Sequence, residues 1–300
     1  MSMATGPVLA IDLGGTKILA ALVDEARVLE ARQVATPREK GPDAWIDAMA
    51  SLAAPWRERF SVAGVALTGG VNQGRWSPLN PATLSVPPNF PIVAVLAERL
   101  GVPVVARNDA QAAAWGEYRH GAGRGSDMVF LTISTGIGGG IVFDGRLRAG
   151  RHGLAGHIGV GPVETPEGEA LLETIGSGAA LARLARAGGR PAEPPAIMAA
   201  ANAGEAWACS LVDAVIAPVA RRLRALQMEL DPDVFVIGGG LGLAPFYLDR
   251  LRAMLAAVPP EFRPDLRAAA LGPNAGLIGI ADLATSASIS AIEGKPCERS

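Results

Sequence analysis

The sequence predicts an α/β fold of two similar lobes that face each other across a central cleft. An apolar run at 8–12 leads into a Gly-Gly-Thr-Lys turn and then into a second apolar run at 18–23. The pattern returns at 128–143, where apolar runs flank a Thr-Gly-Ile-Gly-Gly-Gly turn. Units of strand, glycine turn and strand that recur about half a chain apart indicate an internal duplication.

Each element follows from the spacing of its apolar residues. Runs of strand length predict strands at 8–12, 18–23, 28–34, 62–67, 102–106, 128–134, 141–143, 146–149 and 234–237. Helical spacing predicts helices at 43–60, 92–100, 110–118, 173–187, 206–230, 246–258 and 276–284. Residues 71–90 predict a long loop, a class that is often functional, and residues 188–195 a second loop rich in Gly and Pro.

The length of 300 residues fits roughly two domains. We place an N-terminal lobe at 1–107 and a C-terminal lobe at 108–300, and expect a helix near 275–290 to pack back on the first lobe. The long helix at 206–230 fits the core better than a dimer interface.

Composition narrows the class of protein. The net charge is −2 with both signs interspersed, which predicts a small-molecule partner and no nucleic-acid or membrane surface. Cys209 and Cys297 lie far apart and favour a reducing compartment. The start carries no signal-peptide pattern, and no apolar run approaches the ~20 residues of a membrane helix. We therefore expect a cytoplasmic protein.

The first glycine turn has the residue types of a phosphate site. Glycines let backbone N–H groups approach an anion, and the turn adds a hydroxyl and an ammonium group. Asp12, at the end of the preceding strand, is placed to hold Mg²⁺ through water. The alternative is an ordinary hairpin whose glycines supply positive φ. The candidate residues are Asp12, Gly14, Gly15, Thr16 and Lys17.

Two later glycine clusters extend this interpretation. The second turn is likewise rich in glycine and lies between two predicted strands, so the two turns could bind a polyphosphate from both sides. The alternative is a tight turn that binds no ligand. Three glycines follow the strand at 234–237 and could let the backbone run close to an adenine ring. The alternative is a turn that starts a helix. The candidates are Thr135, Gly136, Gly138, Gly139, Gly140, Gly238, Gly239 and Gly240.

Asn108 and Asp109 end a predicted strand just before a helix. Asp109 is either a helix N-cap or a carboxylate that takes a proton from a sugar hydroxyl. His152 and His157 lie in a glycine-rich segment, which favours a ligand role over a core role.

Taken together, the strings at 12–17, 108–110, 134–140 and 153–159 resemble the ROK family of bacterial sugar kinases and repressors over about residues 8 to 285. The resemblance implies an actin/hexokinase-like (ribonuclease H-like) fold that binds ATP and Mg²⁺. Within the family, the strings look most like members that phosphorylate N-acetylmannosamine in sialic acid catabolism.

The resemblance also implies roles for single residues. Asp109 falls on the catalytic base and Asn108 on a sugar ligand. Glu173 falls on a sugar-binding glutamate, and Asn80 is a weaker sugar contact. The two glycine turns fall on the ATP phosphate loops, and residues 238–240 on the adenosine side. A homodimer is implied as well.

Two departures from the family pattern refine these expectations. His157 stands where most members have a glutamate that contacts the sugar, and it can donate as well as accept hydrogen bonds. The members of the family that phosphorylate N-acetylmannosamine resemble this sequence in having histidine there, so the resemblance implies a 2-acetamido sugar rather than glucose. Val160 stands where most members have a zinc-ligating histidine, and the cysteines of the zinc loop are missing too. We therefore expect no structural zinc.

Other functions remain open. The chain could phosphorylate another hexose such as glucose, N-acetylglucosamine or fructose. A regulatory member of the family is less favoured, because the first glycine turn begins too early for a preceding helix-turn-helix and the chain is not basic. A sugar-binding protein without activity is disfavoured by the presence of Asp12, Asp109 and both turns.

Overall fold

In a computed structural model of the chain, residues 6–79, 83–166 and 168–292 are described, with side chains as far as residue 287. Asn80 lies outside the described residues. The chain forms two compact units, of which the first comprises 1–120, 147–155 and 273–300, and the second 121–146 and 156–272. The lobe boundary that the sequence suggested at residue 108 stays a prediction.

The first unit is built on a sheet in which, among the described residues, five strands lie in the order β3-β2-β1-β4-β7. Pairs β3-β2 and β2-β1 are antiparallel, and pairs β1-β4 and β4-β7 are parallel. A hairpin of β5 and β6 stands apart from this sheet. The strands are β1 (Val8–Leu13), β2 (Lys17–Asp24), β3 (Arg27–Ala35), β4 (Ala63–Leu67), β5 (Gly70–Asn72), β6 (Arg75–Ser77) and β7 (Val104–Asn108).

Helices cover both faces of this first sheet, because side chains of a strand point alternately to its two faces. On β1, Leu9 and Ile11 pack against α1 and α2, whereas Val8 and Ala10 pack against α9. The helices are α1 (Gly41–Ala53), α2 (Ile92–Leu100), α3 (Asp109–His120) and α9 (Ala275–Ile292). A Cβ on Gly279 of α9 would lie 1.8 Å from the carbonyl oxygen of Ala112 in α3. Only glycine lets these two helices approach so closely.

The second unit repeats the same strand order. Its described strands lie in the order β10-β9-β8-β13-β14, with β8-β9 antiparallel and β8-β13 and β13-β14 parallel. A separate hairpin joins β11 and β12. The strands are β8 (Met128–Ile133), β9 (Ile137–Phe143), β10 (Arg146–Leu147), β11 (Pro162–Thr165), β12 (Gly168–Leu171), β13 (Val234–Gly238) and β14 (Leu266–Ala268). The internal duplication predicted from the two glycine-turn units is therefore confirmed.

Helices of the second unit share one core with its sheet. They are α4 (Leu172–Gly176), α5 (Gly178–Ala187), α6 (Pro194–Asn202), α7 (Ala206–Leu230) and α8 (Tyr247–Leu255). The long helix α7 buries Val215, Val219 and Leu223 completely, which confirms its predicted place in the core. Among the described residues no single helix could span a membrane, and only the pair α6 and α7, bent by 115°, has the length and composition to do so.

Four sequence-based expectations about elements were wrong. The loop predicted at 71–90 contains the β5-β6 hairpin, and α6 begins inside the second predicted loop. The helix predicted at 173–187 is two helices, because Ser177 is extended and its hydroxyl accepts a hydrogen bond from the Ala180 N–H as the N-cap of α5. Residues 138–140, predicted as part of a turn, belong to strand β9.

Candidate functional site

Polar side chains meet at the carboxyl edge of the first sheet. In the parallel pairing, Leu13 of β1 lies beside Leu67 of β4, and Leu67 lies beside Asn108 of β7. Asp12, one residue before the end of β1, and Asp109, one residue after β7, therefore reach the same edge. This is the edge at which open α/β sheets bind their ligands.

Asn108 is the N-cap of α3 and holds the neighbouring carboxylate. Its Oδ1 accepts hydrogen bonds from the backbone N–H groups of Ala110 at 3.0 Å and Gln111 at 3.1 Å. Its Nδ2 donates to the carbonyl of Gly69 at 3.0 Å and to Oδ1 of Asp109 at 2.9 Å. The cap position that the sequence suggested for Asp109 thus belongs to Asn108, and Asn108 as a sugar ligand stays a prediction.

Asp109 is the first residue of α3, and its carboxylate is fixed in orientation. Its Oδ1 accepts from the Ala110 N–H at 2.8 Å as well as from Asn108. A carboxylate at a helix N-terminus is stabilised in its ionised form by the orientation of the peptide dipoles. The arrangement suits a group that must stay negatively charged while it orients a hydroxyl.

Asp12 has an unusual protonation equilibrium. Its pKa is raised from 3.8 to about 6, chiefly by burial and also by the negative charge of Asp109, while the ammonium group of Lys17 opposes both effects. Burial and the charge of Asp109 therefore outweigh the attraction of Lys17 for the ionised carboxylate, and a bound cation would stabilise that ionised form.

The first glycine turn is held by Thr36. The Thr36 hydroxyl donates to the carbonyl of Gly14 at 2.8 Å, and the Thr36 N–H donates to the carbonyl of Thr16 at 3.0 Å. Neither Gly14 nor Gly15 has positive φ, so the alternative that these glycines serve only backbone conformation is wrong. A Cβ on Gly15 would approach the methyl of Thr83 to 2.9 Å, so close approach requires glycine there.

The second glycine turn is held by Glu173 and by the start of α5. Glu173 Oε2 accepts from the Ile137 N–H at 3.1 Å, and a Cβ on Gly136 would lie 2.5 Å from that oxygen. The N–H of Ala179 in α5 donates to the carbonyl of Thr135 at 3.0 Å. Glu173 therefore supports the turn from within its own unit, a contact the sequence did not suggest, and its role as a sugar ligand stays a prediction.

Residues Gly138, Gly139 and Gly140 do not form the predicted turn, since they pair with β8 as part of β9. A Cβ on Gly139 would lie 2.8 Å from the carbonyl oxygens of Gly156 and Phe130. Close packing of backbone on backbone explains this glycine without any ligand. Their part in binding phosphate stays a prediction.

A pocket of about 910 Å³ opens beside the second turn. Gly239 has φ of 84°, and a Cβ built on it would lie 2.4 Å from the Ile133 carbonyl oxygen. A Cβ built on Gly240 would meet nothing within 4 Å. Gly240 thus faces open space at the pocket, while Gly238 ends β13 and Gly239 serves the backbone. Lining residues include Thr135, Ala182, Met198, Asn202, Gly240 and Pro245.

Sequence reasoning missed the α6 side of this pocket. Met198 and Asn202 belong to α6, which begins at Pro194 and Pro195. Proline at the first positions of a helix is a known start signal, and it was available in the sequence.

His157 and the following hairpin occupy the region where the family resemblance placed a zinc loop. His157 precedes a short 3₁₀ helix, Ile158–Val160, and the β11-β12 hairpin follows. The Leu172 N–H donates to the Gly161 carbonyl at 3.0 Å, so the hairpin is closed at its base and leads directly into α4, which carries Glu173. Within the described residues, no group of three or more His, Cys, Asp or Glu could hold a metal ion.

The structure has paired carboxylates at a sheet edge, two glycine turns and a pocket beside one of the turns. These features are typical of α/β proteins that transfer phosphate groups. Comparisons with known proteins agree with this class. The model of the ROK family matches residues 8–287. The chain belongs to the ROK family, so the family resemblance and the predicted fold class are both confirmed.

Individual relatives are also similar. A bifunctional enzyme NanE/NanK of Brucella melitensis is 49% identical over 94% of this chain, which spans only 54% of that protein. An N-acetylmannosamine kinase of Citrobacter koseri is 41% identical over 92% of this chain and 98% of its own length. A ROK family glucokinase from Streptomyces griseus, solved with glucose and AMPPNP, is 34% identical with a TM-score of 0.81, covering 94% and 100% of the two chains.

Proposed function

We propose that this chain transfers the γ-phosphate of ATP to the 6-hydroxyl of N-acetylmannosamine. The observation that carries the proposal is the Asp109 carboxylate, which Asn108 and the start of α3 hold at the sheet edge close to Asp12. The names of the Brucella and Citrobacter relatives support the sugar, and the glucokinase bound to AMPPNP supports the nucleotide.

In this proposal Asp109 is the base that accepts the proton of the attacking hydroxyl, and Asn108 keeps its carboxylate in position. Glu173, His157 and Asn80 are proposed sugar contacts. Phosphoryl transfer depends mainly on positioning and on charge stabilisation, so a fixed carboxylate contributes more than a mobile one.

The nucleotide is assigned to groups that fit its parts. The pocket beside the second turn offers an apolar lining for adenosine, with Gly240 at its wall. The turn at 14–17 exposes the Thr16 hydroxyl and the Lys17 ammonium group, which suit phosphates. Asp12, partly buried and with a raised pKa, would hold Mg²⁺ through water, and the ion would neutralise charge on the phosphates.

The choice of sugar is argued from the histidine at position 157 and from the relatives. A histidine at position 157 can donate to an acceptor, which a carboxylate cannot do, and the acetamido group brings a carbonyl oxygen. The alternative substrate is glucose, because a structural neighbour was solved with it. We further propose that the chain acts in the cytoplasm, without a nucleic-acid or membrane partner. We also propose that it is a homodimer, which light scattering of the purified protein would check, and that it holds no zinc, which metal analysis would check.

The test is ADP release with Mg²⁺-ATP across N-acetylmannosamine, N-acetylglucosamine, mannose, glucose and fructose. The proposal expects the highest kcat/KM on N-acetylmannosamine. It also expects Asp109→Asn to lower kcat by about 10²–10⁴ while sugar affinity stays near wild type. Preference for glucose would refute the sugar assignment, and an unchanged kcat in the variant would refute the role of Asp109.

A further inference from the structure

Two adjacent glycines follow β4, and the structure requires only the first of them. Gly69 has φ of 104°, and a Cβ there would lie 2.7 Å from the Ser77 carbonyl oxygen. Gly70 does not have positive φ, and the nearest atoms to a Cβ on it would be 3.8 Å away, at ordinary van der Waals distance. Neither conformation nor crowding explains glycine at position 70, which is typical of a place where another molecule approaches the backbone.

The space beside Gly70 is bordered by apolar side chains. A Cβ built on Gly70 would lie 3.8 Å from Leu154 Cδ2, 4.0 Å from Leu79 Cδ2 and 3.9 Å from the Ser77 carbonyl oxygen, so both leucines flank the side from which a group can approach the Gly70 backbone. Both leucines are unusually exposed for their type, at 50% for Leu154 and 42% for Leu79. A ligand methyl group that rests on the Gly70 backbone from this side would meet two leucine side chains that now face solvent.

This space is tied to the proposed catalytic carboxylate by hydrogen bonds. Asn108 donates both to Asp109 and to the carbonyl of Gly69, the residue before Gly70. Gln111 of α3 is fully buried, and its Nε2 donates to the carbonyls of Gly153 at 3.2 Å and Ala155 at 2.8 Å. Because those carbonyls flank Leu154 in the chain, the segment that carries this leucine is anchored to the same helix start as the carboxylate.

We propose that Gly70, Leu79 and Leu154 form the subsite for the acyl methyl of the sugar's acetamido group, and that they select an N-acylated sugar over one with a bare hydroxyl. The inference rests on the proposed function, because the acetamido methyl is the apolar group that distinguishes this substrate from mannose. Filling the space with protein, or removing one wall, should therefore change selectivity rather than turnover in general.

The experiment compares kcat/KM of the full chain on N-acetylmannosamine and on mannose, with Mg²⁺-ATP. One methylene in an apolar pocket changes selectivity by about 10–200-fold. We expect Leu154→Ala to lower the ratio of N-acetylmannosamine to mannose by about tenfold, and Gly70→Ala, which fills the space, by about 100-fold. The matched control is Leu29→Ala, an equally exposed leucine on β3 at 47%, which should leave both values unchanged.

A second substrate pair does not depend on mannose turnover. Since Leu154→Ala opens one wall, it should raise the ratio of N-butanoylmannosamine to N-acetylmannosamine by about tenfold or more. Equal losses on both sugars, or unchanged ratios in both pairs, would overturn the subsite while leaving the proposed function intact. A wild-type chain that phosphorylates mannose or glucose but not N-acetylmannosamine would instead refute the proposed function, and the subsite with it.

Discussion

Replacing Asp12 by asparagine should stabilise the first unit at neutral pH while impairing the proposed activity. The pKa of Asp12 is raised from 3.8 to about 6, so between these values the folded chain holds a proton that the unfolded chain has lost. Stability therefore falls as the pH rises through this window, and the loss is complete above about pH 6. Asparagine carries no charge and avoids the loss.

The size of the effect follows from the shift. About two pKa units at 1.36 kcal/mol each give about 3 kcal/mol, to be regained by Asp12→Asn at pH 8 and absent near pH 3.5. Because burial is the larger cause and Asp109 the smaller, Asp109→Asn should recover only part of this gain.

Urea unfolding followed by tryptophan fluorescence is the suitable assay. Trp45, Trp56, Trp76 and Trp115 lie in the first unit and only Trp207 in the second, so the signal reports mainly on the unit that contains Asp12. The control is Asp24→Asn at the far end of β2, which tests whether losing any negative charge stabilises the chain. A gain of equal size at pH 4 and pH 8, or none at pH 8, would refute the reasoning.

Three further outcomes are expected. If Mg²⁺-ATP binding needs ionised Asp12, kcat/KM for ATP should decrease as the pH is lowered through about 6, because the carboxylate then takes up a proton. A kcat/KM that stays constant from pH 5 to 8 would count against this role. Gly279→Ala places a Cβ 1.8 Å from the Ala112 carbonyl oxygen, so the free energy of unfolding of the first unit should fall by about 3 kcal/mol. Urea unfolding measures this change, and a loss under about 1 kcal/mol would contradict the close packing of the two helices. Gly136→Ala must displace Glu173, so kcat/KM should fall about tenfold in the ADP-release assay, and wild-type kinetics would show that the contact does not matter.

Much of the fold could be predicted because its signals are local. Strand-length apolar runs separated by glycine turns gave the positions of β1, β2, β8 and β13, and the regular apolar face gave α7 with its observed ends. The recurrence of one pattern predicted the two sheets, whose strand orders turn out to be the same. Asp12 and Asp109 stood out because each adjoins the end of an apolar strand.

Other features depend on contacts between distant segments and left little local signal. Glycines at 138–140 suggested a turn, but they lie in a strand because other backbone segments pack against it. The hydrogen bond from the Ile137 N–H to Glu173 joins residues 36 positions apart, and sequence spacing does not encode it. The β11-β12 hairpin is short and mostly exposed, so it has no apolar pattern to find.

The close packing of α9 on the first sheet has a consequence for how the chain is made. Val8 and Ala10 of β1 are covered by Leu277 and Ile280 of α9, although more than 250 residues separate them in the sequence. Domains generally begin to fold in order as they leave the ribosome. Here the first sheet emerges early, but one of its apolar faces stays uncovered until nearly all of the second unit has been synthesised. During that interval the nascent chain exposes a surface suited to chaperones, and any interruption of translation before α9 should yield a product that aggregates.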